Sequence, residues 1–210
     1  IQLPKLEAKA RKISMDGLVT SVKKLDDVII DLTNILQVKR EIDEKREHIS
    51  FSRLLEDIKS SVRNFIDEEH VTIHSDFSAV DDIFSVKSYM HSIFHNLILN
   101  SIKYKKPGRR PHIIISSRQT ENKITLSFKD NGSGIDLSRY GDKIFGLYKR
   151  FHYDVEGKGM GLFMVKTQVE SLEGNITVNS RIDEGAEFII EFEKKSMTYK
   201  TSAQANYHTQ

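Results

Sequence analysis

The chain reads as an α+β protein: a two-layer sandwich with helices on one face of a mixed sheet, preceded by a long bundle-forming helix. Three observations carry that reading. Helix-like and strand-like apolar patterns alternate along the later three quarters of the chain. The last strand-like segments come in hairpin-like pairs. A separate apolar seam, in steps of three and four, fills the stretch in front.

That seam lies in residues 14–45. Leu18, Val22, Leu25, Ile29, Leu32 and Leu36 are spaced alternately by four and three, with Val28, Ile35 and Ile42 on a flanking stripe. Such a seam suits a coiled coil or helical bundle, and a lone helix cannot bury it. It packs either on its own domain or on a second copy. Self-association is preferred, because lysines, aspartates and glutamates fill the other face. Residues 1–13 give no firm assignment.

Residues 39–48 are highly charged and expected to be solvated, and 49–51 are expected as a short strand. Ser52 is the expected N-cap of a helix carrying Leu54, Leu55, Ile58, Val62 and Ile66, with Glu56 and Asp57 near its start. Residues 71–74 read as a strand. Residues 86–104 form a second strong helix with Met90, Ile93, Phe94, Leu97, Ile98 and Ile102 inward. Pro107-Gly108 breaks the chain, and strands at 113–116 and 124–128 pair through the polar turn at 120–122. Residues 135–158 are poorly periodic, which suits a functional lid. A helix follows at 162–172, with Gly174 expected as its C′ residue, then two closing strands at 176–179 and 188–192. The polar stretch from Lys194 onward is expected to be disordered.

The 210 residues allow one or two domains with one sizeable core. A net charge of +2 gives no bulk reason to invoke nucleic acid. The absence of cysteine excludes disulfides and thiolate chemistry. No apolar run reaches the roughly 18–20 residues needed to span a bilayer. Because the chain opens with Ile1, it is expected to be a piece of something longer, whose membrane anchoring stays open.

Candidate chemistry concentrates in three places. Asn96, Asn100 and Lys103 share one helix face, since positions i, i+4 and i+7 are neighbours. One amide oxygen together with phosphate oxygens suffices for magnesium, Lys103 can reach a phosphate, and Tyr104 offers a ring to a base or ribose. The alternative is a polar face that simply meets solvent. Next, Asp130 opens the turn Asn131-Gly132-Ser133-Gly134-Ile135. Its carboxylate can accept from an adenine amine while the glycines keep the pocket floor close, although Asp-Asn-Gly is also a common turn. Lastly, Gly157-Lys158-Gly159-Met160-Gly161-Leu162 opens a helix whose N-terminal N–H groups favour anions. Such a glycine run also occurs in flexible turns. Their order along the chain points to a magnesium nucleotide.

With these segments in this order, the chain resembles the catalytic ATP-binding domain of two-component sensor histidine kinases. That family shares its ATP fold with gyrase, Hsp90 and MutL. Asn96-Leu97-Ile98-Leu99-Asn100-Ser101-Ile102-Lys103-Tyr104 resembles the N box and Asp130-Asn131-Gly132-Ser133-Gly134 the G1 box. Ile144-Phe145-Gly146-Leu147-Tyr148-Lys149-Arg150-Phe151 resembles the F box, and the glycine run at 157–162 the G2 box. Glu173-Gly174-Asn175-Ile176 and Glu184-Gly185-Ala186-Glu187-Phe188 match the family's ending, so the likeness covers residues 50–193.

The resemblance implies a Bergerat-type ATP-binding fold at 49–194, with ATP and Mg2+ as cofactors. Asn100 would hold the metal, and Asn96, Lys103 and Arg150 would serve catalysis at the phosphates. Tyr104 would pack near the adenine that Asp130 reads, over a floor of Gly132, Gly134 and Ile135. Phe145 would anchor the lid. Gly157, Lys158, Gly159, Met160, Gly161 and Leu162 would bring lid and helix to the phosphates. Residues 1–48 would be part of the dimerisation and histidine-phosphotransfer region with its linker, and 195–210 a disordered tail. The implied partners are a second copy, through the helical region, and a response-regulator receiver domain. The implied setting is cytoplasmic, as a soluble protein or the cytoplasmic part of a membrane sensor.

Three departures stand out. No phosphoacceptor matches: His48 falls in the expected linker, and His70, His74, His91, His95, His112 and His152 read as surface or packing histidines. Lys158 stands where the family has Thr or Ser, and Ser85-Val86-Lys87 where an Asp-Pro pair often opens the N-box helix. The implied activity is transfer of the ATP γ-phosphoryl to a histidine absent from these residues, and thence to a regulator aspartate. The alternatives are a non-catalytic dimeric nucleotide-binding module and an anti-sigma-type serine kinase. The long seam helix argues against the last.

Overall fold

The computed structural model describes residues 46–149 and 159–194, together with Met15, Gly17, Leu18, Ser21 and Val22. The chain divides into two units, residues 1–42 and 43–210. In the first, the five described residues are helical. The Ser21 hydroxyl donates to the Gly17 carbonyl at 2.9 Å, and the seam residues Leu18 and Val22 are exposed. The rest of the expected 14–45 helix lies outside the described residues, as does the tail at 195–210.

The second unit runs β1 (Arg46–Ser50), α1 (Phe51–Ser61), α2 (Arg63–Glu69), β2 (Thr72–Asp76), β3 (Asp82–Val86), α3 (Lys87–Lys103), β4 (His112–Gln119) and β5 (Lys123–Asp130). It continues with α4 (Leu137–Tyr140), a 3-10 turn (Gly141–Lys143), α5 (Gly161–Ser171), β6 (Gly174–Arg181) and β7 (Gly185–Glu193). Five strands form one sheet in the order β2-β4-β5-β7-β6, and β1 and β3 form a separate pair. β2 runs parallel to β4 while every other neighbour in that sheet is antiparallel. The sheet is therefore mixed, as the sequence predicts.

Alternation puts one face of the sheet inward. Ile115, Phe128 and Phe188 stand side by side across three strands, and Leu126 pairs with Ile190, which pairs with Ile176. All six are buried. Against this sheet pack α3 and α5, α1 packs on α3, and Phe94 of α3 sits at the centre. Its ring meets Phe128 edge-on at 4.9 Å and stacks on Phe51 of α1 at 6.1 Å. All six residues expected to face inward on α3 are buried.

Several local expectations change. α1 is capped by Ser50, whose hydroxyl oxygen accepts from Arg53 N–H at 3.3 Å. Ser52 instead binds Asp81 through both its N–H (2.7 Å) and its hydroxyl (2.6 Å). Burial pushes the Asp81 carboxyl up, but the hydrogen bonds from Ser52 and Ser50 prevail and hold it below its usual range. The expected single helix through Ile66 breaks at Val62. There the Ser60 and Ser61 hydroxyls turn back onto the Glu56 and Ile58 carbonyls, a competition that bends helices.

The strand expected at 49–51 starts earlier, at Arg46, because it pairs with β3, which the sequence reading missed. At the end of α5 the left-handed residue is Glu173 (φ 60°), not Gly174. Gly174 opens β6, where a Cβ would meet the Phe192 ring at 2.7 Å. No helix among the described residues is long and apolar enough to cross a membrane.

Candidate functional site

Three segments converge on a cavity of about 320 Å³, within the size range of small-molecule sites. α3 brings Asn96, Leu99, Asn100, Lys103 and, just past its end, Tyr104. The end of β5 brings Asp130, and the loop after it brings Gly134 and Ile135. Gly159, Met160, Gly161 and Leu162 come from the start of α5. Ile144, Lys149, Ala186 and Phe188 complete the wall.

Asp130 is set by its neighbours. One carboxylate oxygen accepts from Gly132 N–H at 2.8 Å and Ala186 N–H at 3.2 Å; the other faces the Ser101 hydroxyl at 3.2 Å. Burial pushes its carboxyl above the usual carboxylate range, and these three donors act in the opposite direction.

The loop that follows is pinned on both sides. Asn131 holds the start of β4 and the segment before it, accepting from His112 N–H at 2.9 Å and donating to the Arg110 carbonyl at 3.0 Å. Ser133 N–H reaches the Tyr104 carbonyl at 2.9 Å, and Ile135 N–H reaches the Ser180 hydroxyl at 2.9 Å. Gly134, at φ 68°, lies where a Cβ would overlap the Arg181 carbonyl. These ties fix the carboxylate relative to the cavity.

On α3, the Asn96 amide nitrogen donates to the Ser92 carbonyl at 2.8 Å. That leaves Asn96 Oδ1 turned toward α5, where a Cβ on Gly161 would come within 3.1 Å of it and within 3.7 Å of Asn100 Oδ1. The glycine lets the helix start approach the two amides. Among the described residues the N-cap position, Met160, makes no side-chain cap hydrogen bond, which suits the helix start to an anion. Among the described residues no group of three His, Cys, Asp or Glu side chains could hold a metal by itself. The donor set fits a magnesium ion that shares amide oxygen with phosphate oxygens.

The cavity gathers Asn96, Asn100, Lys103, Tyr104, Asp130, Gly134, Ile135, Gly159, Met160, Gly161 and Leu162. Two expected site residues sit elsewhere. Gly132 lies behind Asp130, against the Tyr104 carbonyl, and Phe145 lies off the cavity with Lys166 over its ring at 5.8 Å. Its neighbour Ile144, 2% exposed, fills the wall instead. Arg150, Gly157 and Lys158 lie outside the described residues, as does the whole of the expected lid beyond Lys149.

Leu99, Ile144, Lys149, Ala186 and Phe188 were not expected there. Leu99 could have been found from its place between Asn96 and Lys103 in helical register. Ala186 and Phe188 could have been found from their fixed distance beyond the glycine turn at Gly185. Ile144 and Lys149 could have been found from their place in the segment Ile144–Phe151 that resembles the F box.

A family model described as histidine kinase-, DNA gyrase B-, and HSP90-like ATPase matches residues 85–196. The chain belongs to this family. It is 26% identical over 181 residues to the histidine protein kinase SaeS of Staphylococcus epidermidis, covering 84% of this chain and 51% of SaeS. It is 39% identical over 98 residues to cyanobacterial phytochrome A of a Nostoc species, covering 46% of this chain and 12% of that protein. The chain thus spans about half the length of SaeS.

In structure it is similar to the Acinetobacter baumannii histidine kinase AdeS, at 19% identity and a TM-score of 0.67, covering 88% of this chain and 84% of that one. It is also similar to the catalytic domain of histidine kinase ThkA, at 20% identity and a TM-score of 0.61, covering 71% and 97% respectively. At these identities the two likenesses establish the fold, an α+β sandwich with a mixed sheet.

Proposed function

We propose that this member of the family binds ATP with Mg2+ in the α3–β5–α5 cavity and supplies the catalytic part of a protein-histidine kinase. The observation that carries the reading is one cavity joining two helix amides, a half-buried carboxylate and a helix N-terminus that its N-cap residue Met160 leaves without a side-chain cap. Asp130 would accept the adenine amine. Asn100 would share the metal with the phosphates, and Asn96 would line them. Lys103 and Lys149 would neutralise phosphate charge, with Arg150 as a further cation. ATP supplies the transferable phosphoryl group; the chain's part is to hold it in place, screen its charge and exclude water.

The acceptor would be a histidine on a helix outside these residues, and the next acceptor an aspartate of a response-regulator receiver. The histidines described here have other surroundings. His48 pairs with Asp82 at 2.7 Å. His74 and His112 meet edge-on, and His91 stacks on His95. The exposure of Leu18 and Val22 favours a dimer through the helical region. The parent would work in the cytoplasm, free or on the inner side of a membrane.

Mixing the protein with Mg-ATP and a separately made acceptor-helix peptide tests this reading. Acid-labile phosphate on the peptide is the expected result. ATP binding without transfer would favour the non-catalytic module.

A further inference from the structure

The residue after the proposed metal-binding amide has its own contact. Ser101 is 5% exposed, and its hydroxyl lies 3.1 Å from the Leu97 carbonyl and 3.2 Å from Asp130 Oδ2. A hydroxyl has one proton to give. The Leu97 carbonyl already accepts the helical N–H four residues on, whereas the carboxylate is a charged acceptor, and charge-assisted hydrogen bonds are the stronger ones. The proton therefore goes to Asp130. The other carboxylate oxygen is held by Gly132 and Ala186, so Ser101 is the side-chain donor that fixes the orientation of the pair.

Resting on the nucleotide reading above, we infer that Ser101 is a positioning residue for base recognition: it aims the Asp130 carboxylate at the exocyclic amine of adenine. It also ties the two ends of the ligand together. Asn100, on the cavity side of α3, faces the phosphate end, and Ser101, the next residue, steadies the group that reads the base.

The test compares binding of Mg-ATP with binding of purine riboside triphosphate, which lacks the 6-amino group, by calorimetry. Wild type, Ser101→Ala and Ser101→Thr are measured, with thermal melting to confirm folding. Ser101→Ala is expected to lose about fivefold of the preference for ATP over the deaminated nucleotide, the scale of one hydrogen bond. Its affinity for the deaminated nucleotide should hardly change. Ser101→Thr, which keeps the hydroxyl, is expected to retain the preference.

An equal loss for both nucleotides, or an unchanged preference in Ser101→Ala, would overturn the inference and leave the nucleotide reading intact. A wild type that binds both nucleotides equally would remove the base-reading role of Asp130 and the inference with it. If the threonine variant does not fold, the alanine comparison decides alone.

Discussion

Asp130 holds a carboxylate in a cavity where its three partners are neutral donors. Its folded pKa is raised, so the stability linked to its protonation is full below the ordinary value of 3.8 and is lost as pH rises through the raised one. At neutral pH the ionised group costs the empty domain stability. Asp130→Asn keeps the shape and the two backbone bonds, and Ser101 can turn its proton to Leu97. The variant should melt no lower than wild type at neutral pH, with any advantage shrinking on acidification, while Mg-ATP affinity falls at least about tenfold. Asn100→Ala should act differently, removing roughly tenfold of the affinity that magnesium adds and little of the magnesium-free binding. The residues proposed for these roles were legible in the sequence as a carboxylate before a glycine turn and amides one helical turn apart. Ser101 was not legible, because its partner lies 29 residues away and only the fold brings the two together.

The elements show the same division between local and distant causes. α3 was readable from its period, and β4 with β5 from alternation and a polar turn. β3 was missed because Asp82-Ile83-Phe84-Ser85-Val86 is short and broken by polar residues, and its partner is β1, far back in the chain. The cap of α1 was misplaced for a related reason: Ser50 and Ser52 both qualify locally, and Asp81 decides between them. Within the assembled layers, Phe94 joins α1, α3 and β5. Phe94→Ala should cost about 3–5 kcal/mol in chemical denaturation. Gly161→Ala tests the approach of α5 to α3. A Cβ 3.1 Å from Asn96 Oδ1 would press on the Asn96 amide, so triphosphate affinity should drop severalfold more than adenosine affinity; equal losses would count against phosphate binding at this helix start.

The second unit packs helices against a mixed sheet, and its described cavity opens where α3, β5 and α5 meet. Family membership covers that region, and the chain spans about half of SaeS. In the first unit the described helical residues Leu18 and Val22 are exposed. A protein carrying Leu18→Lys and Val22→Lys should sediment with a weaker tendency to dimerise than wild type and bind nucleotide equally well. The most direct measurement is calorimetric titration of the folded protein with a non-hydrolysable ATP analogue, with and without magnesium. Saturable one-site binding that strengthens with magnesium and collapses in Asp130→Asn is the expected result. No heat of binding from well-folded protein, or binding indifferent to both the ion and Asp130, would contradict it.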